Sequence, residues 1–401
     1  MMNRTNSSKQ KNVILILLAM MLSVFCVLKV IRGSDIGNTG AGGIWNYISL
    51  MYYLVFFIVC VTKSGFRFNC IFVSSIAYVF FALLATILNW NLKIDISSVY
   101  NFLMIPYPII VMCVFFLTAH TSKWYERIIL FGYALCLFLN LRSVVNSSFA
   151  DAEEAMKSDI YFSLGMFPFA LQFLKQRYIR TVVIILQFVA VFLSDKRTAL
   201  IAFVIGLVMY ALISAVTKDG NAFIGTVKNL MLVTVAIVLF YNVGKYIDNM
   251  FNLNIFNRLL RLSEDGGSGR DDIYENVWNA FKSSNLAEKM FGHGMNTAGM
   301  VGGAGKAHND FLQIIYDYGV FAIVSIAVFY VSIVVSAFKM IRKKSPYAAS
   351  FAFSVVIGLF LAMFSYFIVY FTYVTCIMAF WGYTLAMNKQ CEEKEEGISE
   401  Y

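Results

Sequence analysis

The chain has 401 residues, 60% of them hydrophobic and 14% charged, with a net charge of +9 and a mean hydropathy of +0.71. Soluble domains carry nearly twice that share of charge, and the apolar residues here arrive in blocks of about 20, the length that crosses a bilayer. A soluble enzyme is thereby excluded, and so is a membrane barrel, whose strands alternate apolar and polar residues over about ten positions.

The amino end places Arg4, Lys9 and Lys11 ahead of an apolar run from Val13 to Val30. No small-residue cleavage site follows, so the run predicts an uncleaved first span at 13–31. Further spans are predicted at 44–62, 69–89, 100–119, 128–144, 160–174, 181–194, 198–216, 229–243, 310–338, 347–368 and 371–388. The fold class is all-α: a single polytopic domain over 1–401 with about 12 transmembrane helices.

Basic residues fall in alternate connections: Lys63 and Arg67, Lys123 and Arg127, Lys175, Arg177 and Arg180, Lys218 and Lys228, and Lys339 with Arg342, Lys343 and Lys344. Lys and Arg concentrate on the cytoplasmic side. Both termini are therefore expected in the cytoplasm, and the charge sets orientation rather than binding nucleic acid. The residues 389–401 are expected as a cytoplasmic tail, disordered over its acidic part from Glu392 to Glu400. The seven cysteines lack metal-type spacing or a disulfide framework and suit an apolar core.

One connection is long: 244–309, on the outer, periplasmic side. Asn254–Leu262 is expected to be a short helix with Arg258 and Arg261. A second helix is expected from Ser268-Gly269-Arg270 to Phe281, with Ser268 as N-cap and Ile273, Val277, Trp278 and Phe281 on its apolar side. A glycine-rich stretch, Gly292 to Gly305, follows and is expected to be mobile.

The spans hold almost no buried charge, only polar groups such as Asn140, Gln172 and Gln187, which disfavours an ion-coupled transporter. Three residues stand out on the outer side, each beside a predicted helix start: Arg197, Arg270 and His308. A helix amino end favours anions and disfavours cations, so arginines placed there oppose a local preference, as functional residues often do. The planar guanidinium suits phosphate. An arginine at a span end also ordinarily snorkels to the headgroups, which stands as the alternative. The same helix-end field keeps His308 neutral, able to accept a proton from a sugar hydroxyl. His293, Asn309, Asp310 and Asp271 are candidate glycan contacts, and no metal-binding spacing is present.

The segment from Ala307 through His308-Asn309-Asp310-Phe311-Leu312-Gln313 to Gly319 resembles the signature of the O-antigen polymerase and ligase superfamily. There a His-Asn or His-Ser pair ends the large periplasmic loop and a glycine follows one helical stretch later. Ser194-Asp195-Lys196-Arg197-Thr198-Ala199 is similar to the family's Arg-Thr motif, and Ser268-Gly269-Arg270 to its loop arginine. The resemblance implies an inner-membrane glycosyltransferase with its active site facing the periplasm, inverting, needing neither metal nor other cofactor. Its donor and acceptor would be undecaprenyl-pyrophosphate-linked glycans held in membrane lipid, with a chain-length regulator as a further partner. Carried onto the matching positions, Arg197 and Arg270 would bind the donor pyrophosphate and His308 would activate the acceptor hydroxyl. A polymerase extending O-antigen or capsule repeat units is expected, with a ligase acting on lipid A-core as the alternative. A lipid-linked glycan flippase is the rival from another class.

Overall fold

The computed structural model describes residues 2–32, 41–64, 69–89, 102–148, 159–194, 196–217, 241–242, 245–246, 266–303, 307–369 and 371–395. The described residues form fourteen helices. Eight precede the long connection: α1 (Met2–Arg32), α2 (Ala41–Ser64), α3 (Cys70–Leu88), α4 (Tyr107–Thr118), α5 (Lys123–Ser148), α6 (Ile160–Phe173), α7 (Arg177–Leu193) and α8 (Arg197–Thr217). Three belong to it: α9 (Gly266–Ser283), α10 (Leu286–Phe291) and α11 (Thr297–Gly302). Three follow: α12 (Asp310–Arg342), α13 (Ala348–Phe364) and α14 (Phe371–Glu395).

Eleven of the twelve predicted spans coincide with a helix, and the span at 229–243 lies outside the described residues save for 241–242. Six helices contain stretches long and apolar enough to cross a membrane: Asn12–Ile31, Trp45–Thr62, Cys70–Leu88, Lys123–Val144, Arg197–Thr217 and Asp310–Arg342. Shorter apolar helices at Phe102–Thr118, Ile160–Phe173 and Ala348–Phe364 pack among them. The outer surface keeps large apolar side chains such as Phe131, Phe138 and Phe338 uncovered, which a lipid environment accommodates and water does not. The protein is a polytopic membrane protein.

At the centre stands α6, with every side chain but Gln172 buried. A helix apolar on all sides belongs inside a bundle, and α6 touches α5, α14, α13, α7 and α1. Gln187 ties three helices here: it accepts from the Tyr133 hydroxyl at 3.1 Å and donates to Ser163 Oγ at 3.2 Å. Around this post α3 packs on α12, α4 on α14, α8 on α13 and α1 on α5.

Among the described residues, the amino-terminal helix, the connection before α5, the end of α12 and the end of α14 meet at one end of the bundle. His120 Nε2 pairs with Asn12 Oδ1 at 3.1 Å, Gln390 Nε2 donates to the Ala119 carbonyl at 2.8 Å, and Lys343 Nζ lies 3.1 Å from Glu392 Oε2. That last pair corrects the expected disorder over Glu392–Glu395; the rest of the expected tail lies outside the described residues. Helix α14 runs on to Glu395, supported by Lys343–Glu392, Lys389–Glu393 and Asn388–Glu392. The expected loop helix at Asn254–Leu262 lies outside the described residues, as do Asp195 and Glu264.

Two interruptions shape the opposite end. Helix α12 contains Gly319 in a left-handed conformation (φ 80°), so its backbone ladder is broken there. The freed carbonyls find donors in the glycine-rich stretch: Tyr316 O accepts from His293 N at 3.1 Å, and Asp317 O accepts from Gly294 N at 2.9 Å. Gly292 and Gly319 approach backbone to backbone; a Cβ on Gly319 would lie 2.3 Å from Met290 O, and one on Gly292 2.3 Å from Asp317 O. The second interruption is the non-helical linker Ser365–Val369 between α13 and α14, where a continuous span to 368 was expected.

A side chain at Gly319 meets both a forbidden φ and a backbone collision, whereas at Gly303 (φ 72°) nothing lies within 4 Å of a Cβ. Gly319→Ala is expected to cost at least about 2 kcal/mol and Gly303→Ala distinctly less. Thermal unfolding of the detergent-purified variants measures the difference, and equal midpoints would refute the close-approach account.

Candidate functional site

The linker Ser365–Val369 is where the site assembles. Phe367 and Ile368 turn their side chains into the core, so their N–H groups are buried too. Buried non-helical backbone at membrane depth must be satisfied by protein groups. Asp310 supplies them: its Oδ2 accepts from Phe367 N at 3.0 Å and from Ile368 N at 2.6 Å. Asn309 caps α12, its Oδ1 accepting from Leu312 N at 3.0 Å. These two candidate contact residues therefore anchor backbone.

The end of α13 meets Arg270 and Thr198. Arg270 donates through Nη1 to the Phe364 carbonyl, and Thr198 Oγ1 approaches the same oxygen at 3.4 Å. Thr198 follows Arg197, the first residue of α8, as expected. Helix α9 begins at Gly266, however, so Arg270 stands one turn into it and not at its first residue; Ser268 lies inside the helix and is not its N-cap. The dipole argument thus applies to Arg197 and only weakly to Arg270.

His308 sits at φ 54°, in the left-handed region, just before the Asn309 cap. The Tyr274 hydroxyl, one turn beyond Arg270 on α9, donates to the His308 carbonyl at 3.1 Å. Burial pushes the Tyr274 phenol up while the Arg270 guanidinium pulls it down; the phenol is a proton donor at neutral pH. The imidazole Nε2 lies 2.7 Å from the Tyr366 hydroxyl, and the two rings pack at a 34° tilt with centroids 4.5 Å apart. Tyr366 follows Phe364 by two residues, so three successive residues, Phe364 to Tyr366, bring together Thr198, the loop arginine and the histidine. Tyr161 of α6 reaches the Ser365 side chain from below.

The remaining candidates are placed elsewhere. His293 stacks on Tyr316 at 4.1 Å, with Nδ1 at 3.1 Å from Tyr316 O and Nε2 at 3.0 Å from Ser284 Oγ. Its contacts hold the glycine stretch to the α12 break. Asp271 is exposed on α9 beside Arg270.

Sequence reasoning missed Tyr366, Tyr274 and Asp317. Asp317 is buried on α12 and accepts from Ala298 N at 2.7 Å, Thr297 Oγ1 at 2.9 Å, Asn296 N at 3.0 Å and Gln313 Nε2 at 3.2 Å. It caps α11 and fixes the glycine stretch over Asn296–Ala298, which was expected to be mobile. A carboxylate inside an apolar block was the available signal.

These contacts define a multi-pass membrane protein in which Thr198, Arg270 and His308 meet around Phe364 and Tyr366 at one end of the bundle. Residues 182–327, which include Arg197, Arg270 and His308, match the O-antigen ligase family model, and over that stretch the resemblance carried by the three segments is borne out. That family comprises membrane enzymes of the bacterial envelope that transfer glycans from lipid-linked substrates, ligases and polymerases alike. No curated protein matches the chain.

Asp310→Ala removes the acceptor of two buried amides, at a cost of about 2–4 kcal/mol. Hydrogen exchange at Phe367 and Ile368 is expected to accelerate at least tenfold while α6 amides stay protected. Unchanged protection at 367–368 would contradict the clamp.

Proposed function

We propose that the protein is a polysaccharide polymerase that transfers a growing O-antigen or capsule glycan from undecaprenyl pyrophosphate onto a lipid-linked repeat unit. The observation that carries this reading is the convergence on one linker: Arg270 and Thr198 on the Phe364 carbonyl, His308 on the Tyr366 hydroxyl. The Phe364 carbonyl oxygen, a partial negative charge, marks the point the two cationic motifs are built around. A pyrophosphate oxygen is a far stronger acceptor for the same donors.

The chemistry follows from that arrangement. His308 takes the proton of the acceptor hydroxyl as its oxygen bonds to the anomeric carbon of the donor. The bond from that carbon to the pyrophosphate oxygen breaks on the opposite face, inverting the centre, and undecaprenyl pyrophosphate leaves with the electron pair. The leaving group needs charge stabilisation more than protonation, which two guanidinium groups supply in place of a metal. Asp271, exposed beside Arg270, and Asn309 are proposed as glycan contacts at the rim; His293 is a weaker candidate because both ring nitrogens are engaged. The end of the bundle carrying Lys339, Arg342 and both described termini is assigned to the cytoplasm of a bacterial inner membrane, and the α9–α11 end to the periplasm.

Glycan length in a strain carrying His308→Ala at normal membrane level tests the proposal. Surface glycan limited to one repeat unit is the expected result; full-length chains would sink the role of His308. Long lipid-linked chains that fail to reach lipid A-core would identify a ligase instead. Arg270→Ala is expected to lower kcat/KM at least about 100-fold, the loss of roughly 2.7 kcal/mol of charge stabilisation.

A further inference from the structure

The two nitrogens of the His308 ring are not equally accessible. Nδ1 is buried in the protein, and Nε2, the nitrogen on the linker side, meets the Tyr366 hydroxyl at 2.7 Å. An acceptor sugar that uses His308 as base must therefore deliver its proton to Nε2, where a phenol already stands. Either Tyr366 swings aside or the proton passes through it.

The surroundings of Tyr366 argue against swinging. Two residues before it, the Phe364 carbonyl is held by Arg270 and Thr198. Immediately after it, the Phe367 and Ile368 amides are held by Asp310, and the Phe367 ring is wedged against Trp381 at 5.6 Å between centroids. The Tyr366 ring itself lies on the imidazole. It is half-buried, so part of the side chain stays exposed.

We infer that Tyr366 is a catalytic residue that relays the acceptor's proton to His308. As the acceptor oxygen bonds to the anomeric carbon, its proton moves to the Tyr366 oxygen while the tyrosine's own proton moves to His308 Nε2. Tyr366 ends the step neutral, His308 ends it as imidazolium, and the bond to pyrophosphate breaks as before. The phenol, ordinarily ionising near pH 10, never carries a full charge because both transfers occur together. Tyr366 lies outside the residues that match the family, 182–327.

This inference rests on His308 being the base, and the test separates the two. Purified enzyme in detergent is given lipid-linked repeat units extracted from a strain lacking it, and kcat, acceptor KM and affinity for undecaprenyl pyrophosphate are measured for His308→Ala and Tyr366→Phe. With His308→Ala inactive, the relay predicts that Tyr366→Phe lowers kcat at least about 100-fold while acceptor KM and pyrophosphate affinity stay within about twofold. A Tyr366→Phe enzyme with undiminished or increased kcat means the tyrosine is a plug that moves away, and overturns the relay. A change confined to KM makes it a binding contact and overturns it equally. An active His308→Ala enzyme overturns the reading of the base instead. Should the phenylalanine chain be absent from membranes, ring-difluorinated tyrosine at 366 keeps the ring and shifts only the acidity of the hydroxyl. An altered kcat with unaltered KM then supports the relay, and an unaltered kcat refutes it.

Discussion

Backbone that leaves the helix inside a packed membrane bundle must find partners within the protein, and this constraint organises the end of the molecule that carries α9–α11. Water is absent at that depth, and each unsatisfied amide or carbonyl costs several kcal/mol. The chain breaks helix twice, at Gly319 and at Ser365–Val369. The first break is satisfied by His293 and Gly294, the second by Asp310. Because His293 and Gly294 belong to the long connection while Asp310 opens α12, each break is repaired by a neighbouring element. The α9–α11 segment is thereby tied to the spans by backbone hydrogen bonds, and cannot drift away without exposing them.

That coupling explains how a charged site can be held at a lipid boundary. Arg270 lies on the connection, Arg197 on α8 and His308 between the connection and α12. None of the three is adjacent to another in sequence, yet Arg270, His308 and Thr198 beside Arg197 all contact the stretch Phe364–Tyr366. A site on a rigid element is held more tightly than one on a loop, and the linker gains rigidity from buried Phe367 and Ile368 and the Asp310 carboxylate. The left-handed conformation of His308 adds strain of about 1–3 kcal/mol. The Asn309 cap and the Tyr274 bond to its carbonyl oppose its relaxation.

Much of the architecture was legible because hydropathy is a one-dimensional signal. The weakest apolar blocks, around 160–174 and 181–194, do form α6 and α7; α6 is short because it is enclosed by other helices. The start of α8 at Arg197 and the Asn309 cap were legible from local chemistry. The linker was not: Ser365-Tyr366-Phe367-Ile368-Val369 is as apolar as the helix before it, contains no glycine or proline, and leaves the helix only because Asp310, more than fifty positions earlier, accepts its amides. A break stabilised from such a distance has no local signature. The same reason hid Tyr366, which reads as an ordinary aromatic at a span end. Asp317 was legible in principle, and was passed over because it stands only seven residues after the loop.

The site also draws on parts of the chain that carry no motif. Asn89, which ends α3, donates through Nδ2 to the Gly292 carbonyl at 3.2 Å, and its Cβ stands where only a glycine fits at position 294. Tyr161 reaches Ser365 from α6. The first half of the chain therefore does more than fill membrane: α3 supports the glycine stretch that closes the α12 break, and α6 supports the linker that presents Tyr366. The residues that match the family, 182–327, hold the charged groups, while the elements that aim those groups at one another come from both sides of that stretch. Chemistry and its alignment are encoded separately here. On the proposed function, a change of glycan specificity can then arise in α3, α6 or the linker without touching an arginine or the histidine, because a shift in how the linker sits would alter the approach of the acceptor and leave the proposed reacting groups intact.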